Sequence, residues 1–509
     1  MMPILLLLCV LLAATLVAHH LHKRRLRPLP PGPRGWPIIG NVFDVPSAYH
    51  WLTFANWGQK WGDIVSISIL GQTTVILNSP TYAIDILEKK SSLYSSRATV
   101  PVAGDMIGWS RAMIMAPYGH RLREMRKMIA QVIATRQQVT RFHSLIEGES
   151  RRFLLGLREH PDSPVKDLHK LAASIIVPLA YGYKVQGDND PIVQTVDKAM
   201  EDFAQAGAPG AFLADVFPFL CRIPSWFPGA QWKAAVYEQS KTFEKMTDIP
   251  FEWVKKQMMI GAAIPSFAAT LLESNTDPEK EELIKMTSAS LYGGGADTTV
   301  SAISTFFLAM ACFPEVQRKA QAEIDEIIGH DRLPTLEDRD RLPYLNALVL
   351  EVLRWIPVAP MGFPHQLIKD DFHAGYFLPK GTQVIANVWK FLHDPQTYAD
   401  PASFNPDRFI GAEGKEPERD PRDFCFGFGR RKCPGMVFSE ASIFATCSMV
   451  LAVYNISKAT RNGHVIEPSM QGTGTLISHP LPFNCSIAVR SEKVEALLDS
   501  VADSLQSAA

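Results

Sequence analysis

Ten residues near the C-terminal end constrain the chain more than any other feature: Phe426-Gly427-Phe428-Gly429-Arg430-Arg431-Lys432-Cys433-Pro434-Gly435. They read as a glycine-rich turn holding one cysteine, and the apolar stretch Met436 to Val450 that follows reads as a helix. A helix starting there aims unpaired N–H groups and a partial positive charge at the sulfur. Arg430, Arg431 and Lys432 add three cations. Such surroundings lower a thiol pKa and make the sulfur a metal ligand or a nucleophile. Glycines on both sides let the backbone turn tightly and approach a flat ligand closely. A cysteine serving only as a small packed residue needs none of this.

A second segment is almost as restrictive. Tyr292-Gly293-Gly294-Gly295-Ala296-Asp297-Thr298-Thr299 interrupts a helical pattern with three successive glycines. Each costs about 1 kcal/mol against alanine in a helix, so some object is expected to approach this backbone closely. Asp297 and Thr298 then put a carboxylic acid and a hydroxyl on a locally widened helix. The bland alternative is a flexible kink with its polar residues in water.

Phe426, Gly429, Arg431, Cys433 and Gly435 fill every fixed position of the haem-binding signature of the cytochrome P-450 family, which the chain therefore resembles. The resemblance implies the cytochrome P-450 fold, mainly α with small β-sheets (α+β), as a single large haem domain behind an N-terminal membrane anchor. It implies haem b (iron protoporphyrin IX) with Cys433 as axial thiolate, a ligand that pushes electron density onto iron. By the same carry-over Phe426 packs under the thiolate, Gly429 shapes the turn, Arg431 pairs with a propionate and Gly435 leaves room for the porphyrin. Gly294, Gly295, Asp297, Thr298 and Thr299 resemble the oxygen-binding segment. There the hydroxyl hydrogen-bonds dioxygen and the acid brings in protons through water, which makes Asp297 and Thr298 the catalytic pair.

Arg126 and His365 are the remaining expected propionate partners. The family's tryptophan, four residues before the helical arginine, is replaced by Leu122, and Arg123 is a candidate to compensate. Glu351 and Arg354, an i,i+3 pair, join Arg408 in a buried structural network by the same resemblance. Such a triad is intolerant of single changes, since a stranded buried charge costs roughly 3–5 kcal/mol. The likeness extends from a proline-rich segment near residue 28 to Cys485 and takes in Gly375-Tyr376, Pro379-Lys380-Gly381, Asn387 and His393-Asp394-Pro395.

Of the 509 residues, 47% are hydrophobic and 20% charged, which suits a large globular protein with an ample core. Basic and acidic residues balance at 51 and 52, for a net charge of −1, so no field for nucleic acid is implied. Seven scattered cysteines point to neither a disulfide framework nor a zinc site. Residues 1–18 carry no charge, and eighteen residues of helix cover about 27 Å, close to the thickness of a thin bilayer. His19, His20, Lys23, Arg24, Arg25 and Arg27 follow, and positive charge there keeps the rest of the chain in the cytosol. A cleaved signal peptide is the alternative, but no basic residue precedes the apolar run, and prolines occupy the place of a cleavage site. The expected organisation is a transmembrane signal anchor over 1–21, a basic and proline-rich hinge over 22–41, and a haem catalytic domain over 42–509. The expected location is the endoplasmic reticulum membrane, with a single pass and a cytosolic catalytic domain.

Alternation over 62–78 predicts a hairpin. Helical spacing is expected over His120–Ala134, Gln137–Glu159, Lys166–Tyr183, Ile192–Ala206, Trp232–Ile260 and Glu279–Cys312, with short strands near Phe372–Val388 and Phe483–Val489. Ala208 to Gly229 is an apolar, proline-rich connector that either touches lipid or ligand or packs as a buried loop, and the family resemblance implies the first, a cover over the substrate channel that dips into the membrane. These readings converge on a haem-thiolate monooxygenase that oxidises an apolar small molecule, a secondary metabolite and by preference a terpenoid, with O2 as co-substrate. Electrons come from an NADPH–haemoprotein reductase, since the chain has no dinucleotide fingerprint. Arg123, Arg126, Lys127, Arg430 and Lys432 form the basic patch expected to meet its acidic face. The rivals are a reductase-independent haem-thiolate isomerase or dehydratase and a non-catalytic haem sensor.

Overall fold

Alternating apolar residues build the first sheet. Strands β1 (Ile64–Ile69) and β2 (Gln72–Leu77) form the expected antiparallel hairpin, with Ile69 opposite Gln72. β2 then pairs in parallel with β6 (Gln383–Ala386), and β6 pairs antiparallel with β3 (His365–Gln366), for the order β1-β2-β6-β3. β4 (Asp371–His373) and β5 (Tyr376–Leu378) make a separate pair, so the strands expected over 372–388 are present as three short pieces. The computed structural model describes residues 28–507, apart from 162–163, 188, 208–209, 275–276, 412–413 and 415. The anchor expected over 1–21 and the start of the 22–41 hinge lie outside the described residues.

From Pro28 onward the hinge is not a free spacer but lies along β1. Ser66 donates its N–H to the Pro31 carbonyl at 2.9 Å, and Asn41 donates to the Ser68 carbonyl at 2.6 Å. A Cβ on Gly32 would stand 2.0 Å from the Ser66 carbonyl oxygen, so the two backbones meet too closely for any other residue there.

The described chain divides into two compact units, one of residues up to 98 with 363–387 and one of 99–362 with those from 388 onward. The first holds these sheets and helix α1 (His50–Trp61). The second is almost entirely helical: α2 (His120–Ile133), α3 (His143–Glu159), α4 (Pro164–Tyr181), α5 (Pro191–Ala206), α6 (Trp232–Met259), α7 (Pro278–Cys312), α8 (Pro314–Ile327), α9 (Pro343–Trp355), α10 (Met436–Val453) and α11 (Glu492–Ser507). Two strand pairs complete it, β7 (Tyr454–Lys458) with β10 (Cys485–Val489) and β8 (Thr460–Arg461) with β9 (His464–Val465).

Local chemistry sets the helix ends. Asp190 caps α5, accepting from the N–H groups of Ile192 and Val193, and Pro191 occupies the first turn where its missing N–H costs nothing. The single helix expected over Gln137–Glu159 begins instead at His143. Thr135 and Gln138 close a capping box on a separate short turn, which ends before α3 starts. α7 is the axis of this unit and packs against α2, α4, α6 and α10. α7 and α10 are apolar and long enough to cross a membrane, but 72% and 83% of their most apolar stretches are buried inside the protein, as core helices are.

Candidate active site

The Cys433 turn is held from within and from two sides. Gly427 and Gly429 have φ of 75° and 52°, left-handed values that a side chain disfavours, and the bend brings the Cys433 N–H 2.7 Å from the Phe426 carbonyl. Arg126, on α2, donates to the Lys432 carbonyl at 2.8 Å. Arg431 donates to the carbonyls of Met113, at 3.1 Å, and Ala116. The Met113 N–H in turn donates to Ser290 of α7 at 3.0 Å. One short segment thus ties the cysteine turn to the glycine-bearing helix.

Cys433 keeps accessible surface although many protein atoms stand around its thiol. A Cβ placed on Gly435 would meet only this sulfur, at 3.9 Å. The charge balance differs from the expectation of a depressed thiol pKa. Burial raises the Cys433 pKa, and the Gly435 N–H and the Arg126 guanidinium only partly offset it. The local sequence displays the cations but not the desolvation, which here is the larger effect. A metal would reverse the balance, because a coordinated thiol is deprotonated outright.

Arg126 and Arg431 crowd one another. Burial and the neighbouring Arg126 charge bring Arg431 down to about 10. Burial also lowers Arg126, with the Cys433 sulfur opposing that shift. Two half-buried guanidiniums this close suit a ligand bearing two negative groups. Arg123 does not join them. It stacks on the Tyr118 ring, 5.7 Å from its centre, beside Arg430, which lies 5.1 Å from that centre and donates to the Tyr118 hydroxyl at 2.7 Å. Leu122 is fully buried in the core. His365 lies in the first unit, on β3, with Nδ1 2.8 Å from the Tyr94 carbonyl oxygen.

α7 runs through its three glycines as unbroken α-helix, so the expected widened turn is not present. Each glycine has a different reason to be there. A Cβ on Gly293 would stand 3.2 Å from Met200 Sδ, and one on Gly295 would stand 2.8 Å from Ile176 Cδ1. A Cβ on Gly294 would meet nothing within 4 Å. Leu291–Gly293 and Val300–Ala311 are buried, and only residues 294–299 between them open onto free space. Thr298 donates its hydroxyl to the Gly294 carbonyl at 2.8 Å, leaving the oxygen's lone pairs for an incoming donor. Asp297 Oδ1 lies 3.1 Å from His479 Nε2, a partner the sequence reading missed because 182 residues separate them and His479 sits in an unremarkable loop.

The expected charge network is present and larger than a triad. Glu351 accepts from Arg354 Nε and Nη2 at 2.7 and 2.8 Å, from Arg408 Nε at 3.1 Å and from the Asn405 N–H at 2.7 Å. Glu418, unforeseen, accepts from Arg408 at 2.6 Å and balances the second cation.

The 208–229 connector folds short helical turns over the 101–106 segment, and Asp215 accepts from the Val102 N–H at 2.8 Å. Between them lies a cavity of about 410 Å³ bordered by Thr99, Pro101, Met106 and Pro218. The outer face of the connector exposes Leu213, Phe219 and Trp226, the last by 80%.

Residues 30–486 match the family model described as Cytochrome P450, which spans both units. Cytochrome P450 monooxygenase 208 of Postia placenta is 53% identical over 97% of this chain and 96% of its own length. Cytochrome P450 monooxygenase claR of Ampulloclitocybe clavipes is 44% identical over 94% and 90%, and Cytochrome P450 monooxygenase ppsD of Aspergillus oryzae 41% over 94% and 92%. The donor set fits haem b, with an accessible cysteine, a side-chain-free space beside Gly435 and Gly294, and paired guanidiniums for two carboxylates. The chain belongs to the cytochrome P450 family, whose members bind haem b through a cysteine thiolate, and is a monooxygenase of that family.

Proposed function

We propose that the protein oxidises an apolar small molecule, a secondary metabolite and first among these a terpenoid, at a haem held by Cys433. O2 is the co-substrate and a membrane-bound NADPH–haemoprotein reductase is the electron donor. The observation that carries this reading is Cys433, which keeps accessible surface although many protein atoms stand around its thiol.

Bound haem activates dioxygen, and its thiolate ligand favours O–O cleavage. The chain's own residues do the rest. Arg126 and Arg431 hold the propionates. Phe426 packs beneath the sulfur, Gly429 turns the chain and Gly435 leaves the macrocycle room. Asp297 carries protons and the Thr298 oxygen accepts and passes them, a positioned transfer worth about 10²–10⁴-fold. Val102, Ile107 and Trp109 are fully buried and keep water from the reacting centre.

Arg123, Lys127 and Arg430 are exposed and supply the reductase-facing patch, whereas half-buried Arg126 faces the cofactor instead. Leu213, Phe219 and Trp226 make a lipid contact that supports a domain seated on the cytosolic face of the endoplasmic reticulum. The rival isomerase and sensor readings gain nothing from relatives that are all named monooxygenases.

The test is co-expression with a reductase in yeast microsomes and untargeted product analysis against terpenoid scaffolds. NADPH-dependent gain of one oxygen atom is expected. Product formed without NADPH supports the isomerase, and a haem spectrum indifferent to a broad apolar library supports the sensor. Cys433→Ser should abolish the red-shifted Soret band of the reduced carbonyl complex, and a retained band refutes the ligand assignment.

A further inference from the structure

Asp297 does not stand alone on α7. Its Oδ1 is 3.1 Å from His479 Nε2, and both side chains are partly accessible, 36% and 28%. The imidazole arrives on a fastened turn. Ser301, one helical turn beyond Asp297 and so on the same face of α7, donates its hydroxyl to the Ser478 carbonyl at 2.5 Å. The Ser478 N–H donates to the Val358 carbonyl at 2.8 Å. Thr473 grips His479 from both sides, accepting its N–H on Oγ1 at 3.1 Å and donating its own N–H to the His479 carbonyl at 2.7 Å. Pro480 restricts the His479 backbone further. Anchoring the turn to Ser301 therefore fixes the ring over the carboxylate one turn earlier.

We propose that His479 is a positioning residue for the proton path, holding the Asp297 carboxylate in place and reloading it with protons from solvent. The inference rests on the reading of Asp297 as the proton carrier and deepens it. Each cycle moves one proton from the imidazolium to Asp297 and one from solvent back to the ring, with no electron exchanged. Histidine suits this task because its two ring nitrogens can take up a proton at one atom and release it from the other.

The surroundings keep Asp297 ionised between deliveries, as an acceptor for each incoming proton. Burial works to raise the Asp297 pKa, but the hydrogen bond and charge of His479, with His169 on α4 beyond, carry it below the ordinary carboxylate value. On α5, Asp197 is raised by burial and by the charges of Asp297 and Glu201, and His169 opposes that shift. Asp197 and His169 are both exposed, so this cluster reaches the surface. The buried Tyr292 hydroxyl has no partner among the described residues and feels the Asp197 charge, so a water beside it would satisfy it.

The experiment measures hydrogen peroxide released per NADPH oxidised by the full-length holoenzyme with its reductase, from pH 5.5 to 8.5. No substrate is required, because electrons not lost as peroxide end in water only when protons reach the site. His479→Gln keeps a hydrogen-bond donor but cannot titrate. It should raise the peroxide share several-fold and flatten its pH profile, with haem content and the reduced carbonyl band unchanged. Ser301→Ala, which loosens the turn and leaves every titrating group in place, should move the ratio in the same direction by less. Should His479→Gln fail to retain haem, Ser301→Ala decides, and an unchanged ratio overturns the proposal. If Asp297→Asn raises peroxide while His479→Gln keeps the parent ratio and profile, His479 has no such role and the Asp297 reading survives. If Asp297→Asn changes nothing, the underlying reading fails as well.

Discussion

Glu351→Ala should be among the most damaging single substitutions in this chain, although Glu351 touches no reacting atom. Glu351 and Arg354 are 0% exposed and Arg408 is 2% exposed, and Glu351 supplies the acceptors for both guanidiniums and for the Asn405 N–H. Removing it leaves two buried cations with Glu418 as the remaining carboxylate, plus the carbonyls of Leu392, Pro401 and Ser403 on Arg354. Stranding a buried charge in this way costs about 3–5 kcal/mol. At about 1.4 kcal/mol per decade this is two to nearly four powers of ten in the folded ratio. Glu351→Gln keeps the shape but turns an NH2 group toward a guanidinium, so little is recovered. The exposed Lys319–Asp407 pair is the control, since its partners are 53% and 51% exposed and such pairs contribute about 0–1 kcal/mol. Large proteins often unfold irreversibly, so the assay is the decay rate of the thiolate-haem band at fixed temperature, with denaturant midpoints where refolding allows. A Glu351→Ala variant as durable as Lys319→Ala would show that the network is not a stability element.

Gly294→Ala should gain up to about 1 kcal/mol of helix stability while obstructing the space its Cβ enters. Gly295→Ala should lose stability against Ile176, and thermal midpoints of the two variants separate these effects. His393, stacked on Trp389 with ring centres 4.4 Å apart, is pushed down to about 3 by burial and the Arg354 charge. An unfolded imidazole takes its proton near 6.5, so between pH 6.5 and 3 the unfolded state binds more protons. Stability is thus complete above that window and falls through it, by up to about 2 kcal/mol at pH 5, and His393→Gln should flatten this acid limb. Lys127→Glu should raise the reductase concentration needed for half-maximal turnover and weaken its salt dependence, leaving peroxide-driven turnover unchanged.

Much of this molecule is legible locally, because periodicity and caps act over a few residues. The helices from Pro191, Trp232 and Pro278 begin within a residue or so of their expected starts, the first two carrying an apolar stripe and the third buried on all sides over Val300–Ala311, and two of them opened by Asp-Pro at the boundary. The helix expected from Gln137 fails for an equally local reason, since the Thr135–Gln138 capping box diverts the chain into a separate turn.

What sequence cannot supply is the sum of distant terms. Cys433 looks activated when only its cations are counted, and burial, a property of the whole core, reverses the sign. The three glycines look like one device and are three: two are closed by Met200 and Ile176 from other helices, and one faces open space. Glu418 and His479 complete groups whose other members are recognisable, yet neither is marked by its neighbours in the chain. In both cases a buried or half-buried charge of known type needed a partner of opposite sign. A lone Glu351 cannot neutralise two guanidiniums, so a second carboxylate near Arg408 was required by charge balance alone. Asp297, half-buried on a core helix, likewise called for a partner beyond its own neighbours in the chain, and His479 Nε2 stands 3.1 Å from its Oδ1.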